Sequence, residues 1–210
     1  MTLMNFTDLN SLKTDLEKNF QNLPLVEKPE DIVHGEGNES ADMMLIGEAP
    51  GYYESIERRP FVGRSGQLLR KVLAESGLPE SQVYISNIVK VRPPDNRDPL
   101  PEEIIAFKPY LDAEINLIKP KLIVTLGRFS MGKFLPDVKV SQVHGRLHKI
   151  RWNDQTLFIL PMYHPAAALR ATRVKVSFVA DFAKIGKTIA WVEKASEVEE
   201  FSETVKEALL

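Results

Sequence analysis

The sequence predicts an α/β fold in which a short parallel sheet is covered on both faces by helices. Two observations carry this. Four short apolar runs, at residues 43–46, 83–91, 122–126 and 157–160, read as strands. Between and beyond them lie stretches whose apolar residues recur every three or four positions, and strand–helix alternation is the signature of a parallel sheet. The length, 210 residues with 43% hydrophobic and 27% charged side chains, suits one domain with a well-buried core.

In chain order, Leu3, Phe6, Leu9, Leu12, Leu16, Phe20 and Leu23 predict an amphipathic helix over about 7–23, capped by Thr7 or Asp8. A loop follows, with Pro24, Pro29 and a turn at Gly35-Glu36-Gly37-Asn38. After the first strand, Leu68, Leu69, Val72 and Leu73 make one face of a helix that begins near Gly66 and stops before Gly77. In the second strand Val83, Ile85, Val89 and Val91 alternate with polar residues and Asn87 falls in phase with them, so an amide that needs partners is expected on a buried face. Pro101, Glu102 and Glu103 suit a helix first turn, and Pro109 is expected to kink or restart that helix before it ends near Ile118. Gly127 turns the chain after the third strand into a short helix over 129–134. The fourth strand delivers His164, and 174–192 reads as a final helix with Val174, Phe178, Phe182, Ile185, Ile189 and Val192 inside.

A domain over 1–192 is thus expected, followed by an acidic tail over 193–210. The tail carries six Glu and two Lys, a net −4, so the rest of the chain is +2 within the overall −2. Val198, Phe201, Val205 and Leu209 keep helical spacing in it, which fits either packing back on the domain or a protein partner. Basic residues gather around two motifs: Arg58, Arg59, Arg64, Arg70 and Lys71 near the first, then Arg146, Lys149, Arg151, Arg170, Arg173 and Lys175 around the second. A phosphate-facing rim is expected there. Cysteine is absent, which excludes disulfides and thiolate metal sites. No signal-peptide core or membrane-length apolar run is present, so the expected setting is cytoplasmic, with no membrane partner and a monomeric chain.

The motifs are Gly47-Glu48-Ala49-Pro50-Gly51, Arg59-Pro60-Phe61-Val62-Gly63-Arg64, Asn87-Ile88-Val89-Lys90, Arg92-Pro93-Pro94, Asn96-Arg97 and His164-Pro165-Ala166. The first and last follow apolar runs, and the carboxyl ends of parallel strands are where open α/β sheets place ligand chemistry. Taken in order, these strings resemble the uracil-DNA glycosylase superfamily, closest to the branch called family 4, over about residues 33–191. The resemblance implies a three-layer αβα sandwich with a four-stranded, mainly parallel sheet. It also implies a monofunctional DNA glycosylase that hydrolyses the N-glycosidic bond of deoxyuridine in single- or double-stranded DNA, extruding the base to reach it.

The resemblance assigns roles residue by residue. Phe61 matches the aromatic that stacks on the flipped uracil, and Asn87 the amide that reads the base edge, donating to O4 and accepting from N3. His164 matches the donor to uracil O2 as charge builds on the leaving group. Glu48 and Glu54 are the candidate carboxylates, the first in the uracil-binding loop with Ala49, the second placed to orient water and favour the cationic sugar. Asn96 matches a second functional Asn. Arg64, Arg146, Leu169 and Arg170 are DNA-binding candidates, with Leu169 and Arg170 placed to wedge or brace the duplex.

The pattern breaks in three places. Family 4 normally carries a four-iron four-sulfur cluster, and its four cysteine positions align with Phe20, Leu23, Val91 and Phe107. The expectation is that no cofactor is bound and that a hydrophobic plug replaces the cluster. Ser55 stands where the family commonly has Asp, and Arg58 where it has Gly; Ala49 excludes the water-activating Asp of a more distant branch. Against the glycosylase reading stands a weak or inactive DNA-binding or partner-recruiting relative that keeps the pocket. Nucleotide binding at the Gly35-Glu36-Gly37 turn has neither a P-loop nor a dinucleotide fingerprint behind it.

Overall fold

The computed structural model describes residues 6–153 and 155–195. In chain order the elements are α1 (Leu9–Lys18), β1 (Glu36–Gly37), β2 (Met43–Gly47), α2 (Tyr52–Glu57), α3 (Arg64–Glu75), β3 (Val83–Asn87), α4 (Pro101–Ile118), β4 (Leu122–Leu126), α5 (Arg128–Gly132), α6 (Val140–Val143), β5 (His148–Trp152), β6 (Gln155–Met162), α7 (Pro165–Arg170) and α8 (Thr172–Phe182). A further helix runs over 185–195.

The sheet has six strands in the order β1-β3-β2-β4-β6-β5. Its centre, β3-β2-β4-β6, is parallel throughout and contains the four strands expected from the apolar runs. The outer two are antiparallel and were missed: β1 is only two residues long, and β5 is a half-exposed edge with alternating burial and two basic residues, which carries no apolar run. Central strands β2, β3 and β4 are buried on both faces, so alternate residues feed two separate cores. Met44, Ile46, Tyr84 and Ile123 pack with Leu12 and Leu16 of α1 and Phe107 and Leu111 of α4. Met43, Leu45, Val83 and Val124 pack with Leu69 and Leu73 of α3 and Phe178 and Phe182 of α8. The result is a three-layer αβα sandwich.

Several boundaries differ from expectation. α1 is shorter than 7–23: the Asp8 carboxylate caps it, accepting from the Ser11 N–H at 2.7 Å, and a separate 3-10 turn at Phe20–Asn22 carries the rest of the stripe. β3 stops at Asn87 instead of reaching Val91. The chain bends over 88–91, where Lys90, fully buried, turns back to the Ser86 hydroxyl and to Glu114 at 2.5 Å. α4 continues through Pro109, which has no N–H to donate to the Ile105 carbonyl one turn earlier; Ile105 lies on an exposed face, so water can reach that carbonyl. The last helix is broken at 183–184 into two. The tail residues Val198, Phe201, Val205 and Leu209 lie outside the described residues. No helix among the described residues is long and apolar enough to cross a membrane.

Candidate active site

Parallel strands end on one side of a sheet, and here those ends build a cleft of about 540 Å³. Register sets Gly47, the last residue of β2, beside Asn87, the last of β3. His164 follows β6 by two residues, and Gly127, which follows β4, donates its N–H to the Met162 carbonyl at 3.0 Å. Glu48, Ala49, Glu54, Phe61, Asn87, Asn96, His164 and Arg170 all line the cleft. Arg64, Arg146 and Leu169 do not: each is exposed outside it, at the start of α3, just after α6 and near the end of α7.

Phe61 sits in a tight turn with φ +55° and is 5% exposed. Three features hold this left-handed conformation, which a bulky side chain rarely adopts. The Val62 and Gly63 N–H groups donate to Glu54 Oε1 at 3.0 and 2.8 Å. Arg70 Nε and Nη2 donate to the carbonyls of Phe61 and Pro60, both at 2.9 Å. Gly66 lets α3 approach so closely that a Cβ there would lie 2.0 Å from the Phe61 carbonyl. The ring centroid is then 6.0 Å from that of His164, at an interplanar angle of 37°.

Asn87 is 3% exposed, and its Oδ1 has no hydrogen-bond partner among the described residues. Gly47 makes the room: a Cβ there would fall 2.4 Å from this oxygen and 2.5 Å from the Phe61 ring. His164 caps α7, its Nδ1 accepting from the Ala166 N–H at 3.2 Å. That bond puts the ring proton on Nε2. Burial, with Arg170 adding to it, pushes the imidazole down to about 4, so it is a neutral donor at physiological pH.

The two carboxylates are not equivalent. Glu54 is committed by one oxygen to the Phe61 turn. Glu48 makes no side-chain hydrogen bond to the described residues; burial first and Asp98 second push it up to about 7, with Arg128 pulling the other way. Asn96 also has a positive φ, +52°, and its Oδ1 accepts from Arg92 Nε at 2.7 Å.

Most of the basic residues around the first motif are paired with acidic ones. Arg58 is tied to Glu17 and to the Ile32 and Pro29 carbonyls, Arg59 to Glu36, Arg70 to Glu36 and Glu80, and Lys71 to Glu75. The three arginines cross-link the fold because acidic partners from other segments meet them, whereas Lys71 pairs within α3. Conversely, the sequence did not single out Asp98 and Arg128, which pair across the mouth of the cleft. Nothing in the sequence couples two residues so far apart. Gly127 gave a signal, a glycine closing a strand; its φ is +97°, and a Cβ there would press on His164 at 3.1 Å.

The positions aligned with the cluster cysteines carry only hydrocarbon side chains. Leu23, Val91 and Phe107 belong to one apolar core and Phe20 packs against it. Phe107 is fully buried and Val91 3% exposed. None offers a sulfur, nitrogen or oxygen ligand, so these residues do not fit an iron–sulfur cluster. Among the described residues no group of three or more His, Cys, Asp or Glu could hold a metal ion.

A model of the uracil DNA glycosylase superfamily matches residues 34–186. Type-4 uracil-DNA glycosylases are similar to this chain. That of Sulfurisphaera tokodaii is 43% identical over 73% of this chain and 72% of its own, and that of Archaeoglobus fulgidus 40% over 74% and 80%. That of Thermotoga maritima is 43% identical over 66% of this chain and 72% of its own.

Proposed function

The chain belongs to the uracil-DNA glycosylase superfamily, and from that membership we propose that it hydrolyses the N-glycosidic bond of deoxyuridine in DNA by everting the base, as a monofunctional enzyme that uses no iron–sulfur cluster. One observation carries the site assignment: Asn87 Oδ1, buried and unpaired at the cleft floor beside Phe61 and His164. A buried acceptor without a partner is costly, so it is matched by a ligand donor. The N3–H of uracil supplies one, whereas cytosine presents an acceptor at N3.

In this reading Phe61 stacks on the everted ring. As the bond from C1′ to N1 breaks, the electron pair leaves with the base and negative charge reaches O2, where His164 Nε2–H donates. The neutral imidazole keeps its Nε2–H to donate, and such a donor contributes on the order of 10²-fold or more in rate. The sugar left behind has oxocarbenium character. Ionised Glu48 stabilises it and orients the water whose oxygen bonds C1′, the proton passing to the carboxylate and then to solvent. Glu54 holds Phe61 in place. No lysine lines the cleft among the described residues, in keeping with hydrolysis without a lyase step. Arg170 in the cleft, with Leu169 42% exposed beside it, is placed to brace the gap left in the duplex.

The test is incubation with oligonucleotides carrying one deoxyuridine, single- and double-stranded, followed by alkaline cleavage of abasic sites. Wild type should give product and His164→Ala should lose it by about 10²-fold or more. Uracil-independent binding with no product would instead identify a recruiting module.

A further inference from the structure

Immediately beyond the cleft, α2 presents large apolar side chains to solvent. Tyr52 is 53% exposed, Tyr53 57% and Ile56 62%, and their spacing sets them on adjoining positions of one face. The residue before this group, Gly51, and the residue after the tyrosines, Glu54, both line the cleft. The two phenol rings stand edge to face, with centroids 5.4 Å apart at 81°. On one face of Tyr52 lies the Arg92 guanidinium, 5.2 Å from the ring centroid, and Arg92 is bonded to the cleft residue Asn96. Exposed aromatic rings backed by arginine and continuous with a nucleotide cleft are how proteins hold unpaired bases, since every base has a face that can stack. Bases paired within a duplex offer no such face.

Resting on the glycosylase reading, we propose that Tyr52 and Tyr53 form a stacking platform for an unpaired nucleobase next to the everted uracil, giving the enzyme a preference for single-stranded DNA. Tyr52 then lies between the base and Arg92, which also brings positive charge to the strand's phosphates. The occupant is a base of the substrate strand, because the patch is continuous with the cleft wall through Gly51 and Glu54.

The experiment measures fluorescence anisotropy of labelled, uracil-free single strands and duplexes with the full chain. Tyr52→Ala/Tyr53→Ala should weaken single-strand binding roughly five- to a hundredfold, with little change on duplex. Tyr52→Phe/Tyr53→Phe should restore it, because the ring and not the hydroxyl makes the stack. Melting temperatures of all variants are compared with wild type, the wide exposure of both side chains predicting small changes. Equal losses on both substrates, no loss on either, no single-strand binding by wild type, or failure of Phe to restore would each overturn the proposal. Unchanged affinities would leave the patch to a protein partner. Since these strands contain no uracil, the result stands apart from excision: a wild type that binds as expected but releases no uracil would sink the glycosylase reading alone.

Discussion

At the scale of single residues, the site shows one side-chain type put to two uses by its surroundings. Glu54 accepts backbone N–H groups and holds a turn; Glu48, half-buried without such donors, is held up at about 7. In its ionised role, Glu48 should make excision rise with pH through about 7, while His164, neutral above about 4, should impose no limb of its own near neutrality. Single-turnover rates across that range would show it. The linkage runs the opposite way for stability. A carboxyl whose folded-state value lies above its ordinary one favours the fold at low pH, and that stability is lost as pH rises through about 7. Glu48→Gln should therefore unfold at higher denaturant than wild type near pH ~8, by about 1–3 kcal/mol after solvent screening, and show no gain near pH ~4. It should also lose excision. Arg58 explains a departure from the family: its φ of +52° is where a glycine is most at ease, yet the side chain reaches Glu17 and two carbonyls and anchors α1.

At the scale of elements, the Phe61 turn and α3 form one unit. Gly66→Ala would force a methyl group into the Phe61 backbone, so it should destabilise the protein and displace the ring together, visible as a lower melting temperature and lost excision. Glu54→Ala removes the acceptor for two backbone donors and should cost about 1–3 kcal/mol. A structural tie predicts that Glu54→Gln, which keeps the acceptor oxygen, recovers most of both stability and excision; a Gln variant that folds as wild type but stays inactive would give Glu54 a direct part in the chemistry. On the other face of the sheet, the joint between α1 and α4 is apolar. Phe107→Ala should cost about 3–5 kcal/mol in denaturant unfolding, because the cavity opens where Leu23, Val91 and Phe107 close the core.

Across the whole molecule, the four positions aligned with the cluster cysteines lie in or against one apolar core, and the proposal is that this burial takes the place of metal cross-links. Protein made in iron-replete cells should show neither stoichiometric iron nor the visible absorbance of a cluster; either signal would overturn the plug. Long-range pairing also explains why the site needs the parallel strands in register. Glu48, Asn87 and His164 are separated by long stretches of chain, and each follows or ends a different parallel strand, so a slip of register between β2 and β3 would part Gly47 from Asn87.

Apolar runs were enough to show the central strands, apolar spacing α1 and α3, and the first-turn residues Pro101, Glu102 and Glu103 marked α4, because spacing reports which face is buried wherever a helix is one-sided and first-turn chemistry marks where one begins. The motifs likewise marked Glu48, Glu54, Phe61, Asn87, Asn96, His164 and Arg170, which share the cleft. What local spacing could not contain was partnership. The edge strands β1 and β5 exist only by pairing; Arg58, Arg59 and Arg70 became cross-links because distant carboxylates reached them; and the different environments of Glu48 and Glu54 arose from burial and backbone donors brought in by other segments. Secondary structure follows from neighbours along the chain, whereas charge state and hydrogen bonding follow from neighbours in space, and those were set when the sheet closed.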